Sequence, residues 1–386
     1  MKIAFLTTDN RENFRRYDLT KPYFGAAPEA LLQGLAKLPE LEVHVVSCTQ
    51  RPMQSPKKLA DNIWFHSLPV RKIGWLRTAY QGCIRATRSL LRKLQPDVVH
   101  GQGTERDCAV SAVLSGFPSV ITIHGNMKAL EKLHQARIGS YLWLAARLEN
   151  FTLRRTRGII CISDYVRNLV GKYAVPTWVV PNAIQEMFFD LQKERTSAPE
   201  KPLLINVGVI SERKRQQQIL TILESLRGKG LDFDVLFVGS SSKSSLYARK
   251  FDEMLAAAQR KGWGFEHIQW LDDASFCRLF DRASAMIHFS SEESFGLTFA
   301  EAIARGLYLF ASDVGAARDI AAGIEHAQIF SANDWIGLEH GVREWLVSGK
   351  WKQSRSEKPP AEFTEKYHPA SVAQRHVEIY QEVLQK

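Results

Sequence analysis

The sequence predicts two α/β domains in series, each a doubly wound parallel sheet with helices on both faces. Three observations carry that prediction. Short β-branched or apolar runs alternate with helical stretches along the chain, at 2–7, 42–47, 98–100, 119–124 and 158–162, then at 203–209, 233–239, 267–270, 285–289 and 308–311. Alternation of this kind implies parallel strands covered by helices. The 386 residues exceed one ordinary core, and two domains of roughly 150 to 200 residues each are the default for such a length. Between the two series, Val180-Pro-Asn-Ala-Ile184 supplies a proline and a turn residue, and the polar stretch 192–201 follows. The boundary is therefore expected near residue 182, giving domains 1–182 and 183–365 and a last segment 366–386.

The elements can be justified in order. The opening run Met1-Lys-Ile-Ala-Phe-Leu-Thr-Thr gives way to the polar residues 7–16, so it is too short for a secretory signal and reads as a first strand. Val120-Ile-Thr-Ile-His-Gly125 places His124 at a strand's carboxyl end. Gly208 closes the strand 203–209, and Arg213, Lys214 and Arg215 follow at a helix start. Ala285-Met-Ile-His-Phe289 reads as a buried strand, Gly296 permits a tight backbone path, and 297–305 has helical spacing that stops at Gly306. A final helix is expected at 369–384, after the break Lys358-Pro-Pro-Ala.

With 45% hydrophobic and 24% charged residues the composition is that of a soluble globular protein. No stretch approaches the ~20 apolar residues that span a bilayer. The five cysteines, Cys48, Cys83, Cys108, Cys161 and Cys277, are odd in number and widely spaced. That pattern fits a reducing cytoplasm and no structural zinc. The expected location is cytoplasmic, with peripheral attachment to the cytoplasmic face of a membrane as its variant.

The segment richest in chemistry is Ser290-Ser-Glu-Glu-Ser-Phe-Gly-Leu-Thr-Phe-Ala-Glu301, in which Glu293 and Glu301 bracket a Ser294-Phe295-Gly296 turn that opens a helix at Leu297. A helix starting at a strand's carboxyl end in an open parallel sheet sits where ligands bind, and its free amides attract phosphate. Ionised carboxylates beside that anion site accept hydrogen bonds from hydroxyls, which a sugar or ribose supplies. An isolated pair at this spacing reads first as a solvated helix start. Its company reverses the order.

The two glutamates with seven residues between them resemble the donor-binding motif of retaining glycosyltransferases of family 4 (group 1), whose fold is GT-B: two Rossmann-like domains facing across a cleft. Asp97-Val-Val-His100, Val120 to Gly125, Ser163, Val180-Pro-Asn182, Gly208 with Lys214, Phe237-Val-Gly239 and Ala311-Ser-Asp-Val-Gly315 stand in the family's order over nearly the whole chain. The resemblance implies roles. Lys214 would neutralise the nucleotide diphosphate and the charge growing on it as the sugar bond breaks. Glu301 would accept from the ribose, Glu293 from the transferred sugar, and the amides of Phe295, Gly296 and Leu297 would meet sugar and phosphate oxygens, with Ser294 in the same turn. His124 would reach the donor sugar, and Gly25 in Tyr23-Phe-Gly-Ala-Ala-Pro28 would bring a first-domain loop to it. The family usually has an arginine after the glycine, where this chain has Val209, and Arg213 is the substitute considered. The last helix would cross back to the first domain.

Asp232-Phe-Asp234 precedes its strand, at the edge away from the ligand crevice, and Asp272-Asp273 suits a helix cap. The expectation is accordingly transfer without a metal or other cofactor. Retention by double displacement needs a carboxylate nucleophile at the anomeric carbon. None stands out, which leaves the family's front-face route, with the departing diphosphate helping to deprotonate the acceptor. The expected partners are a UDP- or GDP-linked sugar and a glycan or lipid-linked acceptor.

Net charge is +10, and seven basic residues with no acid lie between Arg71 and Gln95. Arg77, Arg85, Arg88 and Arg92 fall on one helical face, and Leu76, Tyr80, Ile84, Leu91 and Leu94 on another. A basic amphipathic helix of this kind suits an anionic membrane, as does 127–157 with its mixed aromatic, leucine and basic residues, and an ordinary packed helix with a solvated face fits equally. A nucleic-acid binder would show aromatics interleaved with the basic residues on a recognised platform, which is not found. A nucleotide-sugar epimerase of the same fold and a non-catalytic nucleotide-sugar binder are the alternatives to transfer.

Overall fold

The computed structural model describes residues 1–190, 200–242, 244–352 and 359–385. Residues 192–199 of the expected polar linker, and Lys358 of the later break, lie outside the described residues. The chain divides into two units, Met1–Glu186 with Glu365–Lys386, and Met187–Thr364.

The first unit is built on eight strands: β1 (Lys2–Leu6), β2 (Glu42–Thr49), β3 (Lys58–Ala60), β4 (Ile63–Pro69), β5 (Val98–Gln102), β6 (Ser119–Ile123), β7 (Gly158–Cys161) and β8 (Thr177–Val179). They lie in the order β3-β4-β2-β1-β5-β6-β7-β8. Every pairing is parallel except that of β3 with β4. Ile3 stands beside Val43 on one side and Val98 on the other. These strands read as near-continuous apolar runs because helices cover both faces. The core joins Ile3, Phe5, Val45 and Val120 to Leu31 and Leu35 of the helix Ala26–Ala36, and to Val377 and Val383 of the helix Pro369–Leu384.

The second unit has six parallel strands, β9 (Leu203–Val207), β10 (Asp234–Val238), β11 (Phe265–Ile268), β12 (Ala285–His288), β13 (Tyr308–Ser312) and β14 (Ala327–Phe330). Their order is β11-β10-β9-β12-β13-β14. Its core is rich in phenylalanine: Phe233, Phe237, Phe251, Phe265, Phe289 and Phe310. In each sheet the strand order reverses at one point, between β1 and β5 in the first unit and between β9 and β12 in the second. A crevice opens there at the strands' carboxyl ends.

Four strands went unread. β3 and β8 have three residues each, β4 carries Ser67 and Pro69, and all four residues of β14 are half-buried. The basic segment is also corrected. Residues 71–80 form two short 3-10 turns, and positive φ at Ala79 and Tyr80 separates them from the α-helix Gln81–Leu94. Leu76, Arg77 and Tyr80 therefore share no helical face with the rest. Ile84, Trp75, Tyr80 and Cys83 form one core cluster. The apolar stripe is thus consumed by the unit's own packing, while Arg85, Arg88 and Arg92 face solvent.

Candidate active site

In the second unit the reversal point gathers three charged or titratable side chains. Lys214 comes from the turn after β9, His288 ends β12, and Glu293 follows in the loop that leads to the helix Leu297–Ala304. Lys214 Nζ donates to Glu293 Oε1 and lies 3.1 Å from His288 Nε2, which is 3.2 Å from the same carboxylate oxygen. The His288 ring packs edge-on against Phe299, with centroids 4.8 Å apart. Arg213 donates to the Glu292 carbonyl at 3.0 Å and approaches Glu293 Oε2 at 3.6 Å, so it accompanies the Glu293 loop. Arg215 turns away. It donates to the Ala332 carbonyl at 2.5 Å and lies over the Trp335 ring.

Burial alone would raise the Glu293 carboxyl, but the hydrogen bond to His288 and the charge of Lys214 hold it well below the usual carboxylate range. His288 is itself pushed down to about 4, first by burial and then by Lys214, so at neutral pH the imidazole is uncharged. Lys214 is then the standing countercharge. Its ammonium is lowered by burial, with Glu293 opposing.

Glu301 behaves oppositely. Its side chain sits on the helix Leu297–Ala304, is 4% exposed, and makes no hydrogen bond or ion pair with any of the described residues. Burial, reinforced by Asp273, pushes this carboxyl up to about 8. A carboxyl so placed has unused hydrogen-bonding capacity. The helix begins at Gly296 with φ of 88°, a left-handed conformation that β-carbon side chains rarely take. Among the described residues the amides of Gly296 and Leu297 make no backbone hydrogen bond, as expected of a helix start. Gly315 closes the other wall: a side chain there would collide with the Glu293 carbonyl. Ser294 and Phe295 lie between Glu293 and this helix start, and Gly208 follows β9 with the Lys214 stem beside it.

Gly25 and His124 belong to the first unit, where they line one cavity of about 380 Å³ together with Asn10, Gln102 and Glu105. Gly25 begins the helix Ala26–Ala36. His124 Nε2 is 2.7 Å from Gln102 Oε1, and burial, with His376, pushes the imidazole down to about 4. Glu105 is pushed up to about 7 by burial and, with the same sign, by Glu149.

Three of these residues escaped the sequence reading. His288 stands there only as part of the apolar run Ala285 to Phe289, and Gln102 and Glu105 have no assigned role; only their side-chain chemistry marks them.

Neither acidic pair suggests a metal at the crevice. Asp232 and Asp234 are ion-paired with Lys201, and Asp232 also with Arg227, at the amino end of β10. Asp272 caps its helix, accepting from the Ser275 amide at 2.9 Å. Cys48, Cys83 and Asp107, far apart in sequence, bring their ligand atoms within 4.8 Å of one another in the buried core of the first unit. Three ligands are one fewer than a closed zinc centre uses, and the group stands outside the cavity lined by His124.

Each unit is a sheet of mainly parallel strands, and in the second an acid, a lysine and a histidine meet at the reversal point of the strand order. Residues 29–186 match the family described as Glycosyltransferase Family 4, and residues 188–359 match Glycosyl transferases group 1. The chain belongs to this glycosyltransferase family, with the GT-B fold. It is 26% identical over 226 residues to the serotype-specific mannosyltransferase WbdA of Escherichia coli, an alignment covering 53% of this chain and 26% of the relative. The chain therefore spans about a quarter of the length of the curated relatives it matches. Among solved structures, sucrose-phosphate synthase from Thermosynechococcus elongatus superposes with a TM-score of 0.77 at 15% identity, over 100% of this chain and 99% of that one. Anabaena HepE in complex with UDP gives 0.72 at 13% identity, over 99% and 100%.

Proposed function

We propose that this glycosyltransferase moves a hexosyl group, a mannosyl group first among them, from a nucleotide sugar to a hydroxyl of a glycan or lipid-linked acceptor, with retention and without a metal. One observation carries the reading. The second unit holds a largely buried Lys214–Glu293 pair at the reversal point of its sheet and, on the helix that follows, a buried carboxyl, Glu301, that has no partner among the described residues.

Glu301 takes the ribose hydroxyls, Glu293 those of the transferred sugar, and Lys214 with Arg213 meets the diphosphate, aided by the amides of Gly296 and Leu297. Ser294, Phe295 and Gly208 shape the same wall, and Gly25 and His124 are kept as candidate sugar contacts within the first unit. Lys214 supports leaving-group departure because its charge acts in a site of low dielectric. Relatives named as mannosyltransferases favour mannose, and HepE, of like fold, was solved with UDP and with UDP-glucose. Assembly of a cell-surface polysaccharide or lipopolysaccharide is the setting that fits such an acceptor.

The donor assignment is tested by thermal unfolding with UDP, GDP, ADP, dTDP and their sugars in EDTA. A ligand at 100 times its Kd should stabilise by about 2.7 kcal/mol, or roughly 5 to 10 °C. A shift that appeared only on adding manganese would remove the metal-free reading.

The membrane proposal moves from the helix Gln81–Leu94 to the loop 134–140 and the two helix ends that flank it, Leu133 and Tyr141. There Leu133, Ile138 and Tyr141 are exposed, Ile138 by 86%, among Lys132 and Arg137. No helix among the described residues is long and apolar enough to cross a membrane. Flotation with anionic vesicles should carry the protein, and Ile138→Asp should weaken it. Equal recovery with neutral and anionic vesicles would refute surface binding through this loop.

A further inference from the structure

Beyond the groups assigned above, the first unit holds an unbroken set of hydrogen bonds between its last helix and the cavity. Tyr380, on the helix Pro369–Leu384, places its hydroxyl 2.6 Å from His100 Nδ1 on β5. His100 Nε2 lies 2.7 Å from Thr122 Oγ1 and 3.0 Å from Gln102 Nε2. Gln102 Oε1 then lies 2.7 Å from His124 Nε2. His100 and Tyr380 are fully buried, and Gln102 and Thr122 nearly so. Tyr380 is 280 residues from His100 in sequence.

The chemistry of the amide gives this set a direction. Gln102 meets His100 through its nitrogen, which only donates, and meets His124 through its oxygen, which only accepts. His124 must therefore carry its proton on Nε2. Gln102 Nε2 lies 3.0 Å from His100 Nε2 and 3.4 Å from its Nδ1, so the amide N–H meets the face of the ring, which favours the nitrogen there over the carbonyl oxygen, while the ring's edge nitrogens are held by Tyr380 and Thr122. Both imidazoles are neutral in this arrangement, in keeping with the burial that lowers His100 well below the ordinary histidine value.

We propose that Tyr380, His100 and Gln102 are positioning residues that hold His124 in one tautomer, leaving its Nδ1 lone pair to accept a hydrogen bond from a sugar hydroxyl. Only the last clause rests on His124 being a donor-facing residue. A merely structural set would fasten the last helix to the sheet and leave the tautomer of His124 free.

The test uses the full chain labelled with ¹⁵N-histidine and long-range proton–nitrogen correlation, which reports directly which imidazole nitrogen bears hydrogen. The wild type should show His124 protonated at Nε2 and bare at Nδ1. Gln102→Leu should give a mixture of tautomers, whereas Gln102→Glu, still an acceptor, should keep the Nε2–H form. Tyr380→Phe, which removes one oxygen, should disturb His100 and loosen His124. A wild-type spectrum with the His124 proton on Nδ1, or a Gln102→Leu spectrum unchanged from wild type, would overturn the chain. Should Gln102→Leu not fold, the wild-type, Gln102→Glu and Tyr380→Phe spectra decide alone. Transfer kinetics separate the two claims. If His124 contacts the donor, kcat/KM falls on the order of ten- to a hundredfold in Gln102→Leu and is rescued in Gln102→Glu. A shifted tautomer with unchanged kinetics would support the chain and remove His124 from the donor site.

Discussion

Replacing Glu301 by glutamine is expected to stabilise the free protein increasingly as pH rises and, at the same time, to weaken nucleotide binding sharply. The Glu301 carboxyl is buried without a partner among the described residues and is pushed up to about 8. Its folded-state value lies above the ordinary 4.5, so the folded protein holds this proton more tightly than the unfolded chain does. The stability that proton contributes is fully present below about pH 4.5 and is lost as pH rises through about 8. Between those limits the loss runs at about 1.4 kcal/mol per pH unit, reaching about 4 kcal/mol at pH 8. Glutamine does not titrate, so the variant should lack this slope, and any cost of its own unpaired amide is the same at every pH. Unfolding of both proteins between about pH 5 and 8 reads the difference directly. A difference that does not change with pH would mean that Glu301 already ionises freely in the resting protein. For binding, a charged acceptor lost from two ribose hydroxyls removes about 1.5 to 3 kcal/mol per hydrogen bond, about 3 to 6 kcal/mol for the two, which is roughly a hundredfold loss of affinity or more.

The second large effect concerns Lys214. Its pair with Glu293 is largely buried, with the two side chains 13% and 11% exposed. Lys214→Met leaves the ionised carboxylate with a neutral imidazole and only the half-exposed Arg213 at 3.6 Å, which should cost about 3 kcal/mol. Glu293→Gln leaves the ammonium stranded instead. The double variant removes both charges and should recover most of the loss, so the cycle yields a coupling energy of about 2 kcal/mol or more. The sign with pH follows from Glu293, whose folded value is depressed. Its contribution is present above about pH 4.5 and is lost as pH falls through the folded value. The wild type should therefore lose its advantage over Lys214→Met in acid. None of the three variants should transfer sugar, because the diphosphate loses its cation or the sugar loses its acceptor. Additive stability losses would show that the pair is not coupled.

The legible parts of this protein are those that a local pattern can express. The strands Leu203–Val207 and Ala285–His288 announce themselves as apolar runs, and the helix Leu297–Ala304 by its spacing and its flanking glycines. Glu293 and Glu301 were visible because a strand end, a turn and a helix start fall within a dozen residues of each other. What the sequence concealed is side-chain company made at long range. His288 looks like one more strand residue until Lys214, 74 positions away, is brought to it. The basic helix fits a membrane surface and an ordinary packed helix equally in the sequence because the partner of Ile84, the cluster around Trp75 and Tyr80, is set by a backbone break that no periodicity reveals. Cys48, Cys83 and Asp107 converge only through the packing of separate elements.

The central claim is that the Lys214–Glu293–Glu301 site binds a nucleotide diphosphate through its ribose and phosphates. Calorimetric titration of UDP and of GDP into the wild-type protein at about pH 7 in EDTA tests it most directly, run in two buffers of different ionisation heat. Binding of one nucleotide, accompanied by release of about one proton as Glu301 ionises, is the predicted result. Absence of binding by either nucleotide to a folded wild-type protein would contradict it.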